Sequence, residues 1–169
     1  MSLLELTVVV CVIAVLVTVG LERLLRYQEL AEQTSMYNMV GTLRSALHLR
    51  AAAYIATQQT GQIAGLAKEN PFDWLAEQPY NYSGVRYNPK FGELEPGTWY
   101  YDGKSGFVLY LPRSTRFFLP GKDGRKWVRF RIEYAEAPFG AGDSPNALRE
   151  IRALGVQPVE RVNWFHDLR

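Results

Sequence analysis

The sequence predicts an α+β protein in which one long amino-terminal helix packs on an antiparallel sheet of roughly four strands. Three observations carry that expectation. Residues 1–21 are almost wholly apolar and run without a break into a polar, helix-compatible stretch. Apolar residues then recur at helical spacing through residues 36–54. From residue 98 onward, short aromatic and β-branched runs alternate with Gly- and Pro-bearing turns, as strands and hairpins do.

The first element is the apolar run MSLLELTVVVCVIAVLVTVGL. At about 1.5 Å rise per residue it spans roughly 30 Å, the thickness of a bilayer's hydrocarbon core. No Lys or Arg precedes it and no small-residue cleavage site follows it, so it does not read as a removable secretory signal. Its one charged side chain is Glu5. A carboxylate in a membrane span costs on the order of a few kcal/mol and normally has a partner. The chain's own α-amino group lies about one helical turn away from Glu5, with the side chain pointing along the helix. The amine of a neighbouring copy, offset by a small axial step, is therefore the natural counter-charge. The bland alternative is a single-pass anchor with a stray Glu.

The run Met1, Ser2, Leu3, Leu4, Glu5, Leu6, followed by Val- and Ile-rich sequence, resembles the mature amino terminus of type IV pilins and type II secretion pseudopilins. The match is close over residues 1–25, general over the helix, and architectural beyond it. The resemblance implies a leader cut just before residue 1 by a prepilin peptidase that also N-methylates Met1. It assigns Met1 and Glu5 to assembly. It further implies a homo-oligomeric helical filament, an inner-membrane assembly platform and an outer-membrane secretin as partners. The subunit would be held in the inner membrane before assembly and in a periplasmic or extracellular filament afterwards. Arg23 and Arg26 follow the span, which by charge alone would put the head in the cytoplasm. The outward placement is the family's.

Four segments are expected: 1–25 as the membrane-spanning or filament-core half of the helix, 26–60 as its amphipathic half, 61–97 as a connecting region, and 98–169 as sheet plus carboxy-terminal helix or arm. In the first, β-branched residues lower helix propensity, and Gly20 is the weak point. Some unwinding between residues 14 and 20 is expected once the helix is packed in a filament. The family often has proline at position 22, where this chain has Glu22. In the second, Met36, Val40, Leu43, Leu47, Ala51 and Tyr54 form one stripe, and Arg44, His48 and Arg50 fall off it. Gly61 reads as the stop.

In the connecting region a short helix is expected over 62–70. The Pro-, Gly- and Tyr-rich text after it should be pinned by Phe72, Trp74, Leu75, Tyr80 and Tyr82. Strands are expected at 98–101 and 107–111, then at 115–119 and 126–134. On the last, Val128, Phe130, Ile132 and Tyr134 share one face, and Trp127, Arg129, Arg131 and Glu133 the other. The tail suggests a helix capped by Ser144 with Pro145 in its first turn, Leu148 and Ile151 as its apolar edge, and Gly155 after its end. Residues 156–165 read as an edge strand or packed arm.

Composition limits the chemistry. Net charge is +2, with 13% aromatic residues and a single cysteine, Cys11, inside the span. No intrachain disulfide is available, unlike in pilins that close their carboxy-terminal region with one. Two histidines and Cys11 do not make a zinc site. No phosphate-binding loop, nucleophile elbow or zincin motif occurs, so no catalysis and no cofactor are expected. The calcium loop of major pseudopilins has a poor counterpart in Gly142, Asp143 and Ser144 with Asp123.

Between residues 98 and 134, eight Lys or Arg face three Asp or Glu. Arg116, Lys126, Arg129 and Arg131 are the candidates for a nucleic-acid or subunit-contact face. The sequence-level expectation is a structural pilin that polymerises through its helix. Its alternatives are a low-copy minor pilin or pseudopilin, or a membrane-tethered monomer binding a ligand, DNA included, through Trp99, Tyr100 and Tyr101 and the basic face. Glu5 argues against the tip-most minor type, which commonly lacks it.

Overall fold

The computed structural model describes residues 2–138, 149–162 and 164. It is an α+β structure: helix α1, Leu3–Ala56, packs on a five-stranded mixed sheet. The strands are β1 (Tyr82–Arg86), β2 (Thr98–Asp102), β3 (Phe107–Leu111), β4 (Val128–Pro138) and β5 (Arg149–Pro158), and they lie side by side in that order.

Helix α1 has 54 residues, so at about 1.5 Å per residue it is roughly 80 Å long. Ser2 caps its start: its hydroxyl accepts the Glu5 backbone N–H at 3.2 Å. Exposure divides the helix sharply. Every described residue through Gln28 is exposed. From Glu29 on, Met36, Val40, Leu43, Leu47 and Ala51 are buried against the head, as their spacing predicts, with Tyr54 packed at the margin. The helix ends before Gly61. Gln58 takes φ 58°, and the N–H groups of Gln58 and Gln59 bond back to the carbonyls of Ile55 and Tyr54. This paired terminal closure satisfies the last carbonyls without glycine. Gly61 instead lies in a 3₁₀ helix, Thr60–Lys68, which is the short helix expected over 62–70, begun two residues earlier.

The sheet differs from a four-stranded antiparallel meander in three places. First, β1 lies in the connecting region and runs parallel to β2, Tyr82 beside Trp99 and Arg86 beside Asp102. The chain reaches it from the 3₁₀ turn Pro71–Trp74, whose buried Phe72 stacks on Tyr82 at 4.1 Å between centroids. Phe72 therefore pins this region as expected, but Tyr80 is 97% exposed and pins nothing. Second, 115–119 is not a strand. It forms one isolated bridge, Phe118 to Trp164, while the Phe117 N–H goes to Glu29 of α1 and the Thr115 carbonyl to Lys126. Third, Ile151 and Gly155 belong to strand β5, antiparallel to β4, where a helix was expected. Ser144, Pro145 and Leu148 lie outside the described residues.

The expected hairpin forms as β2–β3, with Thr98 opposite Leu111; Asp102, expected in the turn, ends β2 opposite Phe107. Strand β2 is buried throughout, since both sheet faces are covered. Trp99, Tyr101, Val108, Tyr110, Val128, Phe130 and Ile132 face α1 in the main core. Tyr100, Leu109 and Leu111 face a smaller cluster on the other side, closed by Phe91, Leu94 and Trp127. The Trp99–Tyr100–Tyr101 run is thus structural core on both faces of the sheet. As a ligand surface it is unavailable. Gly97, which opens β2, has φ +81°, and a Cβ there would sit 2.9 Å from the Arg113 guanidinium.

Candidate functional site

Two carboxylates on α1, Glu5 and Glu29, define the two ends of the site. Glu5 lies in the exposed apolar half. Among the described residues its carboxylate has no hydrogen-bond or ion-pair partner, and Met1 lies outside them. The polar side chains around it are self-sufficient. Thr7 donates to the Leu3 carbonyl at 2.9 Å and Thr18 to that of Ala14 at 2.8 Å, so neither hydroxyl needs water. Leu3, Leu4, Leu6, Val8 and their successors to Leu25 are exposed large apolar side chains. An exposed apolar surface of this length requires lipid or protein around it. It is long and apolar enough to cross a membrane, which makes it compatible with membrane anchoring.

Glu29 is fully buried and forms the other end. Its Oε1 accepts Trp164 Nε1–H at 2.8 Å and the Phe117 backbone N–H at 3.0 Å; its Oε2 accepts the Ser114 hydroxyl at 3.2 Å. One turn on, Glu32 accepts the backbone N–H groups of Arg113 and Ser114 and the Tyr110 hydroxyl, the last at 2.8 Å. Burial, and then the bond to the Glu32 carboxylate, push the Tyr110 hydroxyl well above its ordinary pKa. Two acids at i and i+3 thus clamp the loop 113–117 and the carboxy-terminal Trp164 onto the helix just beyond its apolar half. This clamp was not foreseen. Its signal was the apolar stripe itself: stepping back seven residues from Met36 lands on Glu29, an acid in a buried position.

The candidate basic face is largely occupied from within. Arg129 pairs with Glu160 and lies 3.6 Å from Asp123. Arg131 pairs with Glu133, as neighbours on one strand face. Lys126 Nζ donates to the Thr115 carbonyl at 2.9 Å. Arg116 stands over the Phe117 ring at 5.9 Å, and Arg26 of α1 over the same ring at 5.6 Å. The sheet therefore does not present its arginines as one unpaired track for a polyanion. Asp123 is burdened by desolvation, but the Arg125 N–H, the Trp127 indole and Arg129 outweigh it and hold its carboxyl below the ordinary value. Its Oδ1 and Oδ2 already accept Arg125 N–H and Trp127 Nε1–H, and Gly142, Asp143 and Ser144 lie outside the described residues.

No family model, curated protein or solved structure matches this chain. The functional reading accordingly rests on the chain's own residues.

Proposed function

We propose that this chain is a structural subunit of a type IV pilus or related filament, polymerising through α1. The observation that carries the reading is the division of one continuous helix. The apolar stripe of its amphipathic half is buried against the head, while the described residues of its apolar half are all exposed and include Glu5, which has no partner among the described residues. Such a helix has two stable environments, a bilayer and a bundle of like helices. Moving between them leaves the apolar transfer term near zero, so packing and the pairing of Glu5 with a neighbour's terminal amine give assembly its direction.

In this reading Met1 is the processed, methylated terminus, and the head forms the filament's outer surface. Prepilin peptidase, assembly platform and secretin are its partners. The subunit waits in the inner membrane and works at the cell surface, without catalytic activity. Electron microscopy of sheared surface fibres, with mass spectrometry of their subunits, tests it. Abundant fibres made of this chain with an N-methylated Met1 support it. Fibres in which the chain is rare move it to the minor-pilin or pseudopilin alternative, and absence from every fibre overturns it.

A further inference from the structure

The clamp made by Glu29 and Glu32 has a spatial consequence. Leu21 ends the apolar run, and Arg26 stands five residues on, roughly 8 Å along the helix axis. The polar headgroup layer of a bilayer occupies about that distance beyond each side of the hydrocarbon. Arg26 packs on Phe117, and the loop carrying Phe117 is tied to the helix by Glu29 and Glu32. With the apolar half in a bilayer, Phe117, packed on Arg26, is therefore held beside the headgroup layer, while Arg113 and Ser114, bonded to Glu32, stand farther from the bilayer.

The chemistry of that rim is one-sided. Segments 20–28 and 112–120 together carry four arginines, Arg23, Arg26, Arg113 and Arg116, against one carboxylate, Glu22. Among the described residues none of these arginines forms an ion pair. The nearby acids Glu29 and Glu32 are turned into the head and occupied by N–H and O–H donors. Arg23, Arg26 and Tyr27 share one hollow with Val19 and Glu22. Leu119, two residues on from the half-buried Phe117, is 45% exposed. Arginines interleaved with aromatic and aliphatic side chains at headgroup depth match an anionic lipid surface.

We propose that this rim, Arg23, Arg26 and Arg116 with Phe117 and Leu119, binds the headgroups of anionic phospholipids and seats the head on the membrane before assembly. The proposal rests on the anchoring part of the function proposed above and not on filament formation. Each basic residue near such a surface is worth about a five-fold gain in binding, and salt weakens it.

The test is amide hydrogen exchange of the full chain in lipid nanodiscs, phosphatidylcholine alone against a phosphatidylglycerol-rich mixture. Expected is exchange over 115–119 slowed about five-fold or more by phosphatidylglycerol, an effect lost at high salt and reduced in Arg116→Gln. Unchanged exchange in β2 and β3 shows that the variant is folded. Equal exchange in the two lipids, with the chain retained in the discs through an alkaline wash, overturns the rim proposal alone. Slowing that depends on the number of chains per disc and not on lipid charge overturns it in favour of a second copy. A chain washed out of the discs overturns the anchoring reading and the rim with it.

Discussion

Glu5 and Glu29 are the same residue on the same helix, and their surroundings are opposite. Glu29 has exchanged water for three donors supplied by its own chain, Trp164, Phe117 and Ser114. Glu5 stands among exposed valines and leucines with no partner among the described residues. A buried carboxylate is tolerable when its oxygens are hydrogen-bonded and costly when they are not. Glu29 is thus complete in the single chain, whereas Glu5 in an apolar setting is completed from outside it. The difference separates a residue that holds a fold from one suited to hold an assembly.

The largest expected effect comes from Glu5. Glu5→Ala should leave the head folded and the chain in membranes but lower fibre yield at least about ten-fold, the equivalent of a lost interaction of a few kcal/mol in apolar surroundings. Counting sheared fibres against total subunit checks it, and normal yield would remove the proposed pairing. Glu29→Ala should do the reverse. It strands three donors, two of them backbone or indole N–H, and should destabilise the head by about 3 kcal/mol, measured by urea unfolding of the detergent-held chain. Glu29→Gln keeps the acceptor used by Trp164 and Phe117 and should cost only about 1 kcal/mol. If the two variants cost the same, the clamp is not what stabilises the loop.

Leu43→Ala, in the fully buried stripe, should cost about 2–4 kcal/mol without touching the clamp. The same substitution at Val9, 47% exposed in the apolar half, should leave head stability unchanged. Equal losses at the two sites would blur the division of α1 into a head-building and an outward-facing half.

The smallest expected effect is on acid stability. Burial disfavours the ionised form of Asp102, but the Ser105 hydroxyl and the N–H groups of Asn88 and Lys104 overcome it, leaving its carboxyl below the ordinary 3.8. A carboxyl with a depressed folded pKa binds its proton more readily in the unfolded chain. Its contribution is therefore complete above about pH 4 and is lost as pH falls through the folded value. Asp102→Asn should flatten the stability profile below pH ~4 and leave its upper limb unchanged. An unaltered acid limb would show that other carboxyls govern it.

The residues that were legible in the sequence obey local rules. The apolar run, the stripe through Met36, Val40, Leu43 and Leu47, the β2–β3 hairpin and the alternation of Val128, Phe130 and Ile132 all follow from period and turn chemistry. The errors lie where a distant partner decides. Residues 115–119 have strand composition, yet Glu29 takes the Phe117 N–H that a ladder would need, and Glu32 takes the Arg113 and Ser114 N–H groups just before it. Residues 149–158 have a helix-like edge in Ile151, yet β4 pairs with them antiparallel through nine residue pairs. Strand β1 is short and rich in Tyr, Ser and Gly, and only β2 beside it makes it a strand.

By itself, then, the sequence determined a long two-natured helix with an acid near its start, an α+β head, and a hairpin at its centre. Those features depend on residues a few positions apart, where hydrophobic period and backbone preference act directly. Tertiary structure alone decided the parallel edge strand, the pairing of Arg129 with Glu160, and the burial of Glu29 under Trp164. These join residues up to 135 positions apart, and a polar group's partner at that distance depends on which backbone the fold brings beside it.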